Sequence, residues 1–360
     1  MQILSLSLLV IWPLVLMVLG VFPDRWANSW SGSTPRLGSN LTGLSFWFAL
    51  ISGFLLFFSG VSSLEISSQS SPTDGLLGVY FDSLSAVMLV LICFVGHIIA
   101  RYSVRYMDGD PNQDRFVRGM LFTLGAVQLL VVSHNLVMFF ICWVMTSVGL
   151  HRLLTHFRER PGAMRTAQTK FFVSRVGDLF LLSAIVFIYR EYGVLSFSEL
   201  LDHRLTGNSG TWSGELAGLL LALGAMTKSA QIPWHGWLPE TMEAPTPLSA
   251  LMHAGIINAG GFLVIRLNLL ITDSFLGNSS LVLVGGVTAA YGAVVMMTQP
   301  AIKRMLAYST IAQMGFMMLQ CGLGAYAAAL LHIVAHSLYK THAFLSCGSV
   351  VSSASKSDNP

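Results

Sequence analysis

Apolar residues along this chain come in runs of about 20 separated by short polar stretches, the length that crosses a hydrocarbon core of about 30 Å. Eleven such segments are read, at roughly 3–21, 44–62, 82–100, 118–133, 135–153, 172–189, 213–233, 247–271, 279–297, 301–322 and 324–349. The runs are continuous rather than alternating, and backbone groups in lipid must be paired within the spanning element, so the pattern predicts helices and not a closed barrel. The expected fold is an all-α, polytopic transmembrane helical bundle of about 11 spans. Residues 1–74 form an N-terminal two-span region, 75–350 the main membrane domain and 351–360 a polar C-terminal tail. The Gly/Ser/Asn-rich stretches Ser29 to Thr42 and Gly207 to Ser213 read as linkers. The first run has no basic leader and is followed by Pro23, Asp24 and Arg25, which predicts an uncleaved span.

Composition agrees with that reading. Of 360 residues 54% are hydrophobic and 10% charged, against about 25% charged in soluble domains. The net charge is +3, and no Lys/Arg cluster sits on a segment large enough to form a soluble domain, which removes support for nucleic-acid binding. Cys93, Cys142, Cys321 and Cys347 lie singly inside apolar runs and read as small core residues.

Basic residues instead report topology. Of the 20 Lys and Arg, 15 follow odd-numbered spans, three (Arg190, Arg204, Arg266) follow even-numbered ones, and two, Lys228 and Lys340, fall inside apolar runs. This predicts an outward N terminus and a cytoplasmic C terminus.

A charge at mid-bilayer costs about 2.5–3.5 kcal/mol on insertion scales, so a persistent one implies a partner or a watery path. Lys228 is followed by Pro233, Pro239, Pro245 and Pro247, and proline removes a backbone donor and clashes with the preceding turn; a broken helix near Pro233 is expected. Broken helices at membrane depth line cavities and place polar backbone ends beside ions. A plainer account of Lys228 is a lysine snorkelling from a span end.

His332, His336 and Lys340 recur at i, i+4 and i+8, one polar stripe about 12 Å long on a helix. Histidine titrates near neutral pH, so the stripe has the form of a proton relay, or else of polar glue between helices. Zinc is not indicated: no glutamate follows His332 and no third ligand is evident. His253, between Lys228 and the stripe, would extend a chain of titratable groups across the midplane. Asp178, three residues after Arg175, is either that residue's local helical partner or a counter-ion for Lys228. Phosphate loops, dinucleotide fingerprints, haem attachment motifs and iron–sulfur cysteine arrays are absent from the sequence, so no cofactor and no metal is assigned to this chain.

The text around these residues is specific. Gly224-Ala-Met-Thr-Lys228-Ser-Ala-Gln-Ile-Pro233, Trp237-Leu-Pro-Glu240, Ala244 to His253, Ser174-Arg-Val-Gly-Asp178, Ile302 to Thr310 with Gln313 and Gly315, and His332 through Lys340 to Ser349 resemble the proton-conducting, antiporter-like membrane family. That family includes the L-type subunit of respiratory complex I and the large subunit of Mrp-type Na⁺/H⁺ antiporters, and the resemblance covers about residues 75 to 350. It implies antiporter-like repeats, a central proton-carrying role for Lys228, and a polar axis through His253, His332, His336 and Lys340. One departure stands out. The family's span-five motif in complex I carries a glutamate directly after a tryptophan, as counter-ion to the central lysine; here Trp143 is followed by Val144 and Met145.

Trp143 to Leu154, Phe157 to Pro161 and Lys170 to Arg175 are instead similar to the DabB branch, the membrane subunits of DAB-type inorganic-carbon accumulation complexes. That resemblance implies a subunit that uses a cation gradient, H⁺ or Na⁺, to energise a DabA-like soluble, zinc-containing, carbonic-anhydrase-like partner, and residence in a bacterial cell inner membrane. A proton-translocating complex I subunit, and a membrane scaffold whose polar residues only hold helices together, are the competing readings. Complex I subunits of this type also continue into further spans, whereas this sequence stops at Pro360.

Overall fold

The computed structural model describes residues 2–22, 34–65, 78–200 and 211–357. Among the described residues the regular structure is helical except for one antiparallel pair of strands. In chain order the helices are α1 (Gln2–Val21), α2 (Thr34–Ser59), α3 (Ser83–Tyr106), α4 (Gln113–Val132), α5 (Leu136–Leu154), α6 (Pro161–Tyr192), α7 (Trp212–Lys228), α8 (Thr246–Ala254), α9 (Ala259–Arg266), α10 (Asn268–Thr272), α11 (Phe275–Met297), α12 (Ile302–Gly322) and α13 (Tyr326–Ser357). The strand pair is β1 (Ser62–Glu65) with β2 (Gly78–Phe81).

Each predicted segment falls on helix, and among the described residues seven helical stretches are long and apolar enough to cross a membrane. One of them joins α8 and α9. The other four predicted spans fall on α1, α7, α12 and α13.

Boundaries differ where polar residues lie inside a helix. The linker read at Ser29 to Thr42 is helix from Thr34 onward: Thr42 Oγ1 donates to Ser39 O at 2.8 Å, and His97 of α3 approaches the same carbonyl at 3.2 Å. α2 ends at Gly60, whose φ of +72° is the left-handed conformation that glycine adopts without a Cβ penalty. Residues 66–77, including the boundary read near 74, lie outside the described residues, as do 207–210 of the second linker, while Thr211 already caps α7. α6 starts at Pro161, eleven residues before the predicted span, because proline fits the first turn of a helix and nothing after it breaks the ladder until Gly193. α13 continues to Ser357, into the stretch read as a tail.

Two interruptions shape the centre. α7 stops at Lys228 itself, five residues before Pro233; Ala230 takes a positive φ, and the chain runs through turns and one 3₁₀ turn (Thr241–Glu243) before α8. The expected broken helix is therefore present. A second break was not expected: the predicted 247–271 span divides at Gly255 into α8 and α9, joined by a 3₁₀ turn over Ile256–Asn258. Freed backbone groups at both breaks are satisfied by neighbours, as they must be at membrane depth. Ser229 Oγ donates to Ile257 O (2.9 Å), Asn258 Nδ2 donates to Ala254 O and to Ser337 Oγ (both 2.8 Å), and Ile232 N donates to Thr288 Oγ1 (3.2 Å).

Candidate ion pathway

The first cluster forms where α7 ends. Lys228, buried, points into α5, and its Nζ donates to Trp143 O (3.1 Å), Thr146 Oγ1 (2.6 Å) and Ser147 Oγ (2.9 Å) while lying 4.4 Å from the Trp143 ring centroid. Each partner sits on one face of α5, spaced i, i+3 and i+4 from Trp143, the spacing that brings side chains together on a helix. The ammonium is thus held by two hydroxyls, one carbonyl and one aromatic face.

Asp178 makes the predicted local pair with Arg175, at 2.7 Å, and also lies within electrostatic reach of Lys228 and beside the Trp143 indole. Its two sequence-level roles are geometrically compatible. Close contact between α6 and α7 brings it there: a Cβ on Gly177 would collide with the Thr227 hydroxyl, so only glycine permits this approach.

Lys170 was counted with loop residues in the topology reading. The structure places it inside α6, 4% exposed, with Nζ donating to Ser147 O at 3.1 Å. It escaped notice because Gln168 and Thr169 precede it and break the apolar run; the signal available was the Phe171, Phe172, Val173 sequence directly after it.

The second cluster forms where α13 meets α12. Lys340 is fully buried and donates to Leu306 O at 2.9 Å. Thr310 Oγ1 donates to the same carbonyl at 3.0 Å and lies 3.1 Å from His253 Nδ1. His253 stacks on Phe344, one turn beyond Lys340, with centroids 4.4 Å apart. His332 and His336 follow the predicted stripe with ring centroids 6.2 Å apart; His332 Nδ1 lies 3.2 Å from Gln320 Oε1, and neither ring nitrogen of buried His336 has a hydrogen-bond partner among the described residues. A groove of about 770 Å³ between α11, α12 and α13, lined by Gln313, Phe316, Gln320, His332, His336 and Tyr339, reaches the stripe.

The two breaks carry the polar groups Ser229, Gln231 and Asn258, and Asn258 is bonded to Ser337 of α13; all four are buried. Gln231 Oε1 and Asn258 Oδ1 have no hydrogen-bond partner among the described residues. Thr146, Ser147, Thr310 and Asn258 were missed as site residues because a hydroxyl or amide in an apolar run carries no sequence mark of what it touches.

The chain is thus a bundle of apolar helices with one buried lysine at the end of a broken helix and a second within a histidine stripe. Residues 133–359 match the family described as NADH:quinone oxidoreductase/Mrp antiporter, TM, and residues 71–117 match the N-terminus of complex I chain 5. The chain belongs to the NADH:quinone oxidoreductase/Mrp antiporter family.

It is 40% identical to a protein of Hydrogenovibrio crunogenus named as a probable inorganic carbon transporter subunit DabB, over 99% of this chain and 66% of that relative. A chloroplastic NAD(P)H-quinone oxidoreductase subunit 5 from Lemna minor is also 40% identical, over 77% of this chain and 38% of the relative. Among solved structures, the Mrp complex of Dietzia sp. superposes with a TM-score of 0.81 at 26% identity, covering 97% of this chain and 37% of that one. The chain therefore spans less than two thirds of the length of these curated relatives.

Proposed function

We propose that this chain is the cation-gradient-coupled membrane subunit of an energy-coupled inorganic-carbon uptake complex, with protons as the coupling ion. The observation that carries the reading is the setting of Lys228: a buried lysine at the end of a broken helix whose α5 partners are the Thr146 and Ser147 hydroxyls and the Trp143 carbonyl. Neutral acceptors hold an ammonium less tightly than a carboxylate does, so the proton is released here without first dissolving an ion pair. The likeness to a DabB-named subunit, which runs over 99% of the chain, supports the same reading.

In this account Lys228, His253, His332, His336 and Lys340 form the ion pathway and Asp178 tunes its Lys228 end. The basic loops lie on the cytoplasmic side of a bacterial inner membrane, with the N terminus outside, and present the chain to a DabA-like soluble, zinc-containing partner. Hydration of CO₂ belongs to that partner, where a metal-bound water supplies the nucleophile. The second reading, a proton-translocating L-type subunit of NADH-quinone oxidoreductase, draws on the 40% identity to the Lemna protein over 77% of the chain.

Purification of the tagged chain in gentle detergent, with metal analysis and identification of co-purifying proteins, separates the two. A single large zinc-bearing soluble partner is expected. Co-purification of flavin and iron–sulfur subunits would overturn the proposal in favour of the second reading.

A further inference from the structure

Ser147 is shared by two lysines from different helices. Lys228 Nζ of α7 donates to its hydroxyl at 2.9 Å, and Lys170 Nζ of α6 donates to its carbonyl at 3.1 Å. Both lysines are more than nine-tenths buried. Arg175 and Asp178 complete the group; they are paired with each other at 2.7 Å, and Asp178 also lies within electrostatic reach of both lysines, so one carboxylate faces three cationic side chains. Two ammonium groups on one serine repel each other in a poorly screened interior, and the arrangement favours one ammonium and one amine.

One turn beyond Ser147 on α5 stands His151, half-buried, its ring 5.5 Å from that of Phe171 and within electrostatic reach of Lys170 and Arg158. Its Nδ1 has no hydrogen-bond partner among the described residues. His151 is three residues from the end of α5, beyond which the 155–160 connection with Arg158 and Arg160 begins. Lys170 therefore sits between the helix break and that connection.

We propose that Lys170 is a second proton station, exchanging protons with Lys228 through the Ser147 hydroxyl and with the side of the membrane that holds the 155–160 connection through His151. The step balances without a co-reactant: the Lys228 ammonium gives a proton to Ser147 Oγ as the Oγ–H proton passes to the Lys170 amine, which becomes ammonium. Rotation of the hydroxyl resets it, and Lys170 then passes its proton to His151. This inference rests on the proton-carrying role of Lys228 proposed above and adds the residue that connects it to one side.

The test is proton flux into liposomes containing the purified complex, driven by a potassium diffusion potential and read with an internal pH-sensitive dye. Lys170→Arg keeps the charge and the donor but does not deprotonate in the working range, whereas a purely structural lysine is replaced well by arginine. Lys170→Arg is expected to lower the flux by about tenfold or more, and Ser147→Ala to lower it as well. Lys170→Gln, a neutral donor, serves where the arginine does not assemble, with the same expected loss. Flux within about twofold of the unsubstituted complex in correctly assembled Lys170→Arg or Lys170→Gln overturns the inference, since the loss expected of a proton-transfer group is far larger. If Lys228→Ala also leaves flux unchanged, the failure lies with the underlying reading of Lys228; if Lys228→Ala abolishes flux and the Lys170 variants do not, it lies with Lys170 alone.

Discussion

The Leu306 carbonyl accepts hydrogen bonds from both Lys340 Nζ (2.9 Å) and Thr310 Oγ1 (3.0 Å). Because the Thr310 hydroxyl also meets His253 Nδ1 at 3.1 Å, one turn of α12 ties the histidine of the second helix break to the lysine of the α13 stripe. Valine has the shape of threonine without the hydroxyl. Thr310→Val is expected to leave the complex assembled while lowering cation-driven activity severalfold; unchanged uptake in assembled protein would show that His253 and Lys340 work independently.

The Thr146 and Ser147 hydroxyls accept hydrogen bonds from the Lys228 ammonium at 2.6 and 2.9 Å. Removing a hydrogen bond to a charged group costs about 1.5–3 kcal/mol. Thr146→Val is therefore expected to weaken activity more than it weakens assembly, and Thr146→Glu to slow turnover by trapping Lys228 as an ion pair. Both are read as initial rates of inorganic-carbon accumulation against ionophore-treated controls, and faster turnover in Thr146→Glu would contradict the role given to neutral acceptors.

Asp178 is close to Arg175 and within reach of Lys228. Asp178→Asn keeps the side chain's size and removes its charge. A severe loss of activity in assembled complex is expected if it tunes Lys228. A mild loss, paired with a similar mild loss in Arg175→Gln, would leave it as the arginine's local partner.

Arg266 is nearly buried above the rings of Tyr80, Phe197 and Phe262 and forms a two-pronged pair with Asp82, at 2.7 and 3.0 Å, in which Asp82 also caps α3 through Ser85 N. Taking away one partner of such a pair strands the other and costs about 3–5 kcal/mol. Asp82→Asn should lower the thermal stability of the detergent-solubilised protein without altering the rate per assembled complex, which differential scanning fluorimetry and uptake assays separate.

α11 and α12 approach through glycines. A Cβ on Gly315 would press on Gly285 O and the backbone around Thr288, and a Cβ on Gly292 on the backbone of Ala312. Overpacking costs about 1–3 kcal/mol and forces backbone shifts, so Gly315→Val is expected to lower the yield of folded protein sharply. Normal yield and melting temperature would contradict the tight seam.

Much of this was legible in the sequence. Continuous apolar runs located the helices, because lipid admits few other arrangements, and Pro233 marked the break beside Lys228. The i, i+4, i+8 spacing placed His332, His336 and Lys340 on one helix face. What stayed hidden depends on tertiary neighbours. Lys170 read as a loop cation because polar Gln168 and Thr169 interrupt the hydropathy, though α6 carries it into the interior. The Gly255 break lacks a proline, and is held by Asn258 and Ser229 from outside its own helical ladder. The hydroxyls at Thr146 and Ser147 gain meaning from the Lys228 ammonium that α7 delivers to them, and that of Thr310 from the Leu306 carbonyl it shares with Lys340.

The central claim is that cation movement through Lys228 drives the complex, and its most direct measurement is inorganic-carbon accumulation by cells that depend on it. The intact complex is compared with Lys228→Ala at matched membrane levels, with and without a protonophore. The account predicts accumulation that the protonophore collapses and that Lys228→Ala lacks although the complex is assembled. Accumulation by Lys228→Ala at the level of the intact complex would contradict it.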